Sequence, residues 1–283
     1  MPDKTLTLTI VIPAYNEQDY LKACLDSIAA QSVMPDQVIV VDNNSTDSTC
    51  EIAESYKFVT LLHEPNQHQS FAQKTGFNAA TSDIIGRIDS DSILPANWVK
   101  NIKRYFSQDP YIIGITGGTL PYDMSSAKIG NLGFRFYINL ASKLAGVRML
   151  WGANCAVRRD AWVKVSHQVM TRGDIWEDYD LSFCLSPYGR LALVDGMDID
   201  SSFRSVHKAL TTQTRYQLRA VRTFYFRKGP LRAGLFLAMW STLFLLFIPL
   251  MIDRYILVPL VETFGSNRKA ASKRVDIVQL EAE

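Results

Sequence analysis

The chain has no Cys-x-x-Cys pair and no His-Glu-x-x-His segment, although its 283 residues include four cysteines and four histidines. Cys24, Cys50, Cys155 and Cys184 lie far apart in apolar contexts, which excludes a zinc ribbon or a dithiol redox motif. They read as reduced, buried thiols of a cytosolic protein. A zinc hydrolase is excluded with the missing histidine motif. Gly 15 and Pro 11 are too few for a collagen-like or proline-rich chain. No repeat of about 20–50 residues recurs, so a solenoid is excluded. Met1-Pro2-Asp3-Lys4 runs into a strand pattern without the layout of a signal peptide.

Acidic residues are missing from one long stretch. Residues 204–232 carry eight Lys or Arg and no Asp or Glu. Residues 1–203 carry 17 basic against 23 acidic, and residues 233–283 five of each, so the net charge of +2 conceals a strong asymmetry. A basic stretch beside an apolar one points to anionic lipid and away from nucleic acid. With 47% apolar and 20% charged residues, the chain can build a packed core of one large domain or two.

Periodicity sets the fold class. Leu6–Ile12, Gln37–Val41, Phe58–Leu62 and Ile84–Ile88 read as strands, and Gln37–Val41 is apolar throughout, as a strand buried on both faces should be. Between them, Glu17–Ala30 places Tyr20, Leu21, Cys24, Leu25 and Ile28 on one helical face. A second helix, capped by Ser45, precedes Cys50, Ile52, Ala53 and Tyr56, and a third covers Phe71–Ala80. Strands alternating with helices predict a mostly parallel sheet of an α/β domain. The second half adds strands at Ile112–Leu120, Met149–Arg158, Leu191–Val194 and Ile199–Val206, a helical or mixed stretch at 125–145, and a basic amphipathic helix over Leu210–Arg227. Ligands of such sheets bind beyond the carboxyl ends of the strands, here Pro13–Glu17, Asp42–Ser45 and Asp89–Asp91.

Four segments could carry chemistry. In Asp89-Ser90-Asp91, two carboxylates leaving a buried strand can converge on a hard cation such as Mg²⁺ or Mn²⁺; a solvated turn is the plainer reading. Asp42 in Val41-Asp42-Asn43-Asn44-Ser45 can accept from a base or ribose, or build an Asx turn. Tyr15 in Pro13-Ala14-Tyr15-Asn16-Glu17 can stack on a base, or belong to a capped turn. Trp176-Glu177-Asp178-Tyr179-Asp180 places acids at a helix start, where they favour the helix dipole or supply a general base.

Together these segments resemble glycosyltransferase family 2 over residues 6–206. The resemblance rests on Pro13-Ala14-Tyr15-Asn16-Glu17, Val41-Asp42-Asn43-Asn44-Ser45-Thr46-Asp47, Asp89-Ser90-Asp91 and Glu177-Asp178, in that order. It implies the GT-A nucleotide-diphospho-sugar transferase fold and an inverting displacement. It also implies that Pro13, Tyr15, Glu17, Asp42, Asn44, Ser90 and Asp89 contact the nucleotide of a nucleotide-sugar donor. Asp91, with Asp89, would bind Mg²⁺ or Mn²⁺. Asp178 would be the base, with Glu177 as the fallback. Two departures matter. Relatives carry Ala-Arg-Asn-x-Gly where this chain has Ala72-Gln73-Lys74-Thr75-Gly76, leaving Lys74 as the phosphate cation. The Gln-x-x-Arg-Trp segment of processive synthases is absent, which favours transfer of a single sugar. His207 is a candidate further metal ligand, or a surface histidine at a strand end. A nucleotidyltransferase would need a Gly-rich loop after the first strand, and none is present.

Ala233–Ile252 has no charge over 20 residues, about the length of a bilayer span. Basic residues flank both sides of 233–264, and 32 residues are too few for two spans of ~20 each. A re-entrant hairpin or in-plane helices satisfy both constraints, with a single span, a buried helix or a subunit interface as alternatives. The expected organisation is a catalytic domain over 1–206, a basic helical segment over 207–232, an apolar membrane-associated segment over 233–264 and a polar tail over 265–283. The expected place is the cytoplasmic face of the membrane, with anionic lipid as partner and a glycan or lipid-linked molecule as acceptor.

Overall fold

The computed structural model describes residues 5–122, 126–202 and 210–252. The chain alternates β1 (Leu8–Ala14), α1 (Leu21–Ala29), β2 (Gln37–Asp42), α2 (Thr49–Glu54), β3 (Val59–His63), α3 (Gln69–Ala79) and β4 (Ile84–Ile88). It continues through α4 (Trp98–Gln108), β5 (Ile112–Thr116), β6 (Thr119–Pro121), α5 (Ala127–Ala145), β7 (Asn154–Arg158), α6 (Arg159–Val165) and α7 (Glu177–Leu185). β8 (Arg190–Leu193), β9 (Ile199–Ser201), α8 (Leu210–Lys228) and α9 (Pro230–Ile252) complete it.

Seven strands form one sheet in the order β3-β2-β1-β4-β7-β5-β8. All neighbours are parallel except β7, which runs antiparallel to β4 and β5. The expected mostly parallel sheet is therefore present. β1, β4 and β5 are buried along their whole length, as their largely apolar sequences require. One core packs α1 and α4 on one face of the sheet, through Leu25, Ile28, Trp98 and Ile102. A second packs α3, α6 and α7 on the other, through Phe77, Trp162 and Leu181. A third lies among α5, α7, α8 and α9, where Phe224 and Phe236 stack with centroids 4.4 Å apart.

Several elements differ from expectation. Ser45 does not cap α2. The helix starts at Thr49, whose N–H donates to Asp47 Oδ1 at 3.0 Å, while Ser45 Oγ accepts from Asn16 N at 3.0 Å. The strand expected over Ile112–Leu120 breaks at Gly117-Gly118, and β6 leaves to pair with β9 in a separate two-stranded sheet. A Cβ on Gly117 would overlap Asn154 and the Met197 carbonyl, so this break needs glycine. Met149–Arg158 is a strand only from Asn154 on. No helix among the described residues is long and apolar enough to cross a membrane, so the single-span form of the C-terminal expectation finds no support there. Residues 253–264 of that segment, and His207, lie outside the described residues.

Candidate active site

The strand order reverses between β1 and β4: β2 and β3 lie on one side of β1, and β4 begins the other. Crevices form at such a switch point, beyond the strands' carboxyl ends. Here a cavity of about 920 Å³ opens there. Pro13, Tyr15 and Glu17 line it from the end of β1, and Asp89, Ser90 and Asp91 from the end of β4. Glu177 and Asp178, in the first turn of α7, line it as well. The structure thus brings together segments separated by more than 160 residues.

The loops after β1 and β2 are locked to each other. Asn16 and Asn44 both sit in the left-handed region, at φ 54° and 66°, which asparagine tolerates better than most residues. Asn16 Oδ1 accepts from Thr46 N at 2.8 Å, and Glu17 N donates to Thr49 Oγ1 at 2.8 Å. Asn44 Nδ2 donates to the Pro65 carbonyl at 2.8 Å. Asp42 is buried and accepts from Ser45 N at 3.1 Å, with His63 Nδ1 at 3.1 Å. Burial opposes its charge, but the hydrogen bonds from Ser45 and His63 prevail and hold its pKa below the ordinary value. Asp42, Asn44 and Lys74 do not line the cavity, whereas Asn43 does. The first two shape its rim through the backbone; Lys74 lies on α3.

The floor is organised by a residue that the motif reading passes over. Arg87, on β4, is fully buried and pairs with three carboxylates: Asp89 at 3.1 Å, Glu177 at 3.6 Å, and Asp178 through Nη1. The sequence carries a signal for it, since one arginine interrupts the apolar run Ile84–Ile88, and a buried charge requires partners. Burial disfavours the guanidinium, yet the three carboxylates together raise its pKa above the ordinary value. Burial pushes Asp178 up to about 7 against the pull of Arg87, with Glu177 and Asp89 adding repulsion. Burial raises Glu177 as well. Gly152 completes the arrangement, because a Cβ there would overlap both Arg87 Nη1 and Asp178 Oδ1.

Other walls come from elsewhere. Gln69 Nε2 donates to Asp89 Oδ1 at 3.2 Å. His68 caps α3 and lines the cavity with Arg219 of α8; burial and Arg219 both depress its pKa. Trp176 and Tyr179 stack at 5.1 Å, and Ile129, Gly133 and Phe136 of α5 complete the opening. Among the described residues, no group of three or more His, Cys, Asp or Glu could hold a metal ion. Two neighbouring aspartates on the wall of a large cavity nevertheless fit a hard cation. Such an ion takes one or two carboxylates and completes its shell with substrate phosphate and water.

Residues 9–165, more than half of the chain, match the family model described as Glycosyl transferase family 2. The chain belongs to this family. The match includes Asp89-Ser90-Asp91 and ends before Glu177-Asp178. The uncharacterized glycosyltransferase YibD of Escherichia coli is 34% identical over 95 residues, 32% of this chain and 28% of YibD. The O-antigen chain rhamnosyltransferase RfbN of Salmonella typhimurium is 30% identical over 121 residues, 41% of this chain and 38% of RfbN. The matched stretches thus span well under half of these relatives. Among solved structures, the mannosyltransferase PcManGT of Pyrobaculum calidifontis, in complex with GDP-Man and Mn²⁺, superposes with a TM-score of 0.57. It is 18% identical, over 94% of this chain and 85% of that one. Glucosyl-3-phosphoglycerate synthase of Mycobacterium tuberculosis, in complex with Mn²⁺, UDP and phosphoglyceric acid, gives 0.58 at 18% identity over 78% of each chain. At such identities the likeness is one of fold, and this family 2 enzyme has a GT-A-like α/β fold.

Proposed function

We propose that this family 2 glycosyltransferase is metal-dependent and inverting, and moves one sugar from a nucleotide sugar, UDP-sugars first, to a hydroxyl or phosphate of a lipid-linked acceptor. One observation carries the reading: Asp89-Ser90-Asp91 and Glu177-Asp178 line one cavity at the switch point, where the Arg87 guanidinium joins Asp89 to Glu177 and Asp178. Tyr15 is half-exposed at the end of β1, placed to stack on the base. Pro13 and Glu17 border the same pocket, while Asp42 and Asn44 hold the loop that shapes it.

Asp91, aided by Asp89, would hold Mg²⁺ or Mn²⁺, as oxygen ligands suit either ion. The bound ion would offset charge building on the departing nucleoside diphosphate. Two neighbours of the same fold were solved with Mn²⁺ and a nucleotide or nucleotide sugar, which supports this assignment. His207 is a possible further ligand under the same proposal. Asp178, deprotonated, would accept the proton of the incoming acceptor oxygen, and the cavity walls would align that oxygen with the anomeric carbon. Glu177 is the second candidate for the base. Placement at the cytoplasmic face of the membrane rests on the basic stretch 204–232 and the apolar run after it.

Asp91→Asn tests the metal assignment. It should keep the fold and lose most transfer, with the remainder shifted to higher Mn²⁺ concentration. Wild-type rate with unchanged metal dependence, read by mass spectrometry of the product, would reject Asp89-Ser90-Asp91 as the metal site.

A further inference from the structure

α5 is turned the wrong way for a helix in water. Several of its polar side chains are engaged by the rest of the fold: Asn131 and Arg135 bond Asp198 at 2.8 and 2.7 Å, Asn139 accepts from Arg148 at 2.6 Å, and Ser142 is buried. Its outward stripe is apolar at helical spacing, with Ile129, Leu132 and Phe136 exposed by 66%, 71% and 57%. A surface helix of a soluble domain shows the opposite pattern.

The neighbouring helices extend this face. Arg232, at the start of α9, donates to the Leu144 carbonyl near the end of α5, and Leu243 further along α9 lines the cavity together with Ile129 and Gly133 of α5. The two helices therefore run side by side, in opposite directions. Nine of the fifteen exposed large apolar side chains among the described residues belong to α5, α8 and α9. These helices, of 19, 19 and 23 residues, contain no Asp or Glu. Lys128, Lys143, Arg215, Arg222, Lys228 and Arg232 are exposed on them. Acids from neighbouring loops touch this face at two points, Asp195 on Arg135 at 3.0 Å and Asp174 near Arg222 at 3.8 Å, but the charges borne by the three helices themselves are all cationic. An apolar surface bordered mainly by cations matches an anionic bilayer, whose headgroups take the charges and whose acyl region takes the side chains.

We infer that α5, α8 and α9 form one face that docks flat on an anionic lipid bilayer, with the mouth of the cavity opening onto the membrane between α5 and α9. Membrane contact is thereby not confined to the C-terminal segment: α5, from the middle of the chain, is part of it. Ile129, Gly133, Phe136 and Leu243 would then guide the apolar chain of an amphipathic acceptor while its head reaches Asp178. This last step rests on the transferase reading, whereas the docking itself does not.

The test is flotation of the full-length protein with phosphatidylcholine vesicles, with and without three-tenths phosphatidylglycerol, after detergent removal. Leu132→Glu, which lies outside the cavity, is compared with Tyr111→Glu, an equally exposed site on another part of the surface. Nucleotide binding is measured on the same samples. The wild type should prefer the anionic vesicles. Leu132→Glu should lower partitioning about tenfold, the order expected when one inserted leucine becomes a charge, with nucleotide binding unchanged. Tyr111→Glu should behave as wild type. Equal flotation of Leu132→Glu and wild type would overturn the inference. So would a change of oligomeric state in Leu132→Glu without a change in flotation, which would make the face a subunit interface. If no sample binds nucleotide yet the flotation difference persists, the transferase reading fails and the docking stands.

Discussion

At the scale of residues, the site turns on a buried cation shared by three carboxylates. Removing one member of such a cluster leaves the others uncompensated, so their behaviour is linked. Asp178 shows the consequence: burial outweighs Arg87 and pushes its carboxyl up to about 7. A base must be deprotonated to act, so kcat/KM should rise with pH up to about 7 and level above it. The same shift draws stability down as pH rises from the ordinary 3.8 to about 7, because the folded chain holds a proton there that the unfolded chain releases. A flat rate profile between pH 5.5 and 8 would place the base elsewhere. Arg87 should act through Asp178. Arg87→Lys keeps the charge but loses the fork, and should lower kcat about tenfold or more. In an Asp178→Asn background the same substitution should change kcat less than about twofold, since contacting residues are not additive. Equal losses in both backgrounds would make Arg87 a residue of general packing.

At the scale of elements, the sequence was clearest where one rule operated alone. The buried strands β1, β2 and β4 announce themselves by largely apolar runs, and α1 by Leu21, Cys24, Leu25 and Ile28 on one face. α4 has as plain a signal, with Trp98, Val99, Ile102 and Phe106 buried at helical spacing. The break at Gly117-Gly118 was not legible, because the need for glycine arises from Met197 and Asn154, which are distant in the chain. α5 was ambiguous for a physical reason. Asn131, Arg135 and Asn139 answer to Asp198 and Arg148, while the apolar residues divide between buried Ile138 and Ala141 and outward Ile129, Leu132 and Phe136, so periodicity alone cannot say which face is buried. The motif residues of the site were legible as types at strand ends. Their division into cavity-lining Tyr15 and Asp89 and loop-building Asp42 and Asn44 needed the third dimension. Arg87 was visible as an oddity in an apolar strand with Asp89 two residues on, but its other two partners, Glu177 and Asp178, come from one distant segment.

At the scale of the whole molecule, one sheet and the helices packed on it bring both segments of the proposed site to one cavity. The part that matches the family model, residues 9–165, supplies the end of β1 and the Asp89-Ser90-Asp91 segment. Glu177 and Asp178 come later, on a helix whose outer side packs against α8 and α9 through Tyr179, Phe183, Phe224 and Phe236. Asp180 on that helix is wholly buried and bonds Arg227 of α8 at 2.6 Å, which fixes the two helices together. The basic, apolar layer is thus mechanically continuous with the helix that bears the proposed base, and a single chain can join donor binding, proton transfer and surface attachment.

The central claim is that Asp178 serves the acceptor and Asp89-Ser90-Asp91 the donor. Single-turnover transfer from a bound nucleotide sugar, with Mn²⁺ and a membrane lipid extract as acceptor, measures it most directly when Asp178→Asn is set beside the wild type and donor affinity is recorded in parallel. The account predicts that Asp178→Asn binds donor within a few-fold of wild type and transfers about 10²–10⁴-fold more slowly. A loss of donor affinity with normal turnover of whatever donor is bound would contradict it, and would move Asp178 to the donor side of the cavity.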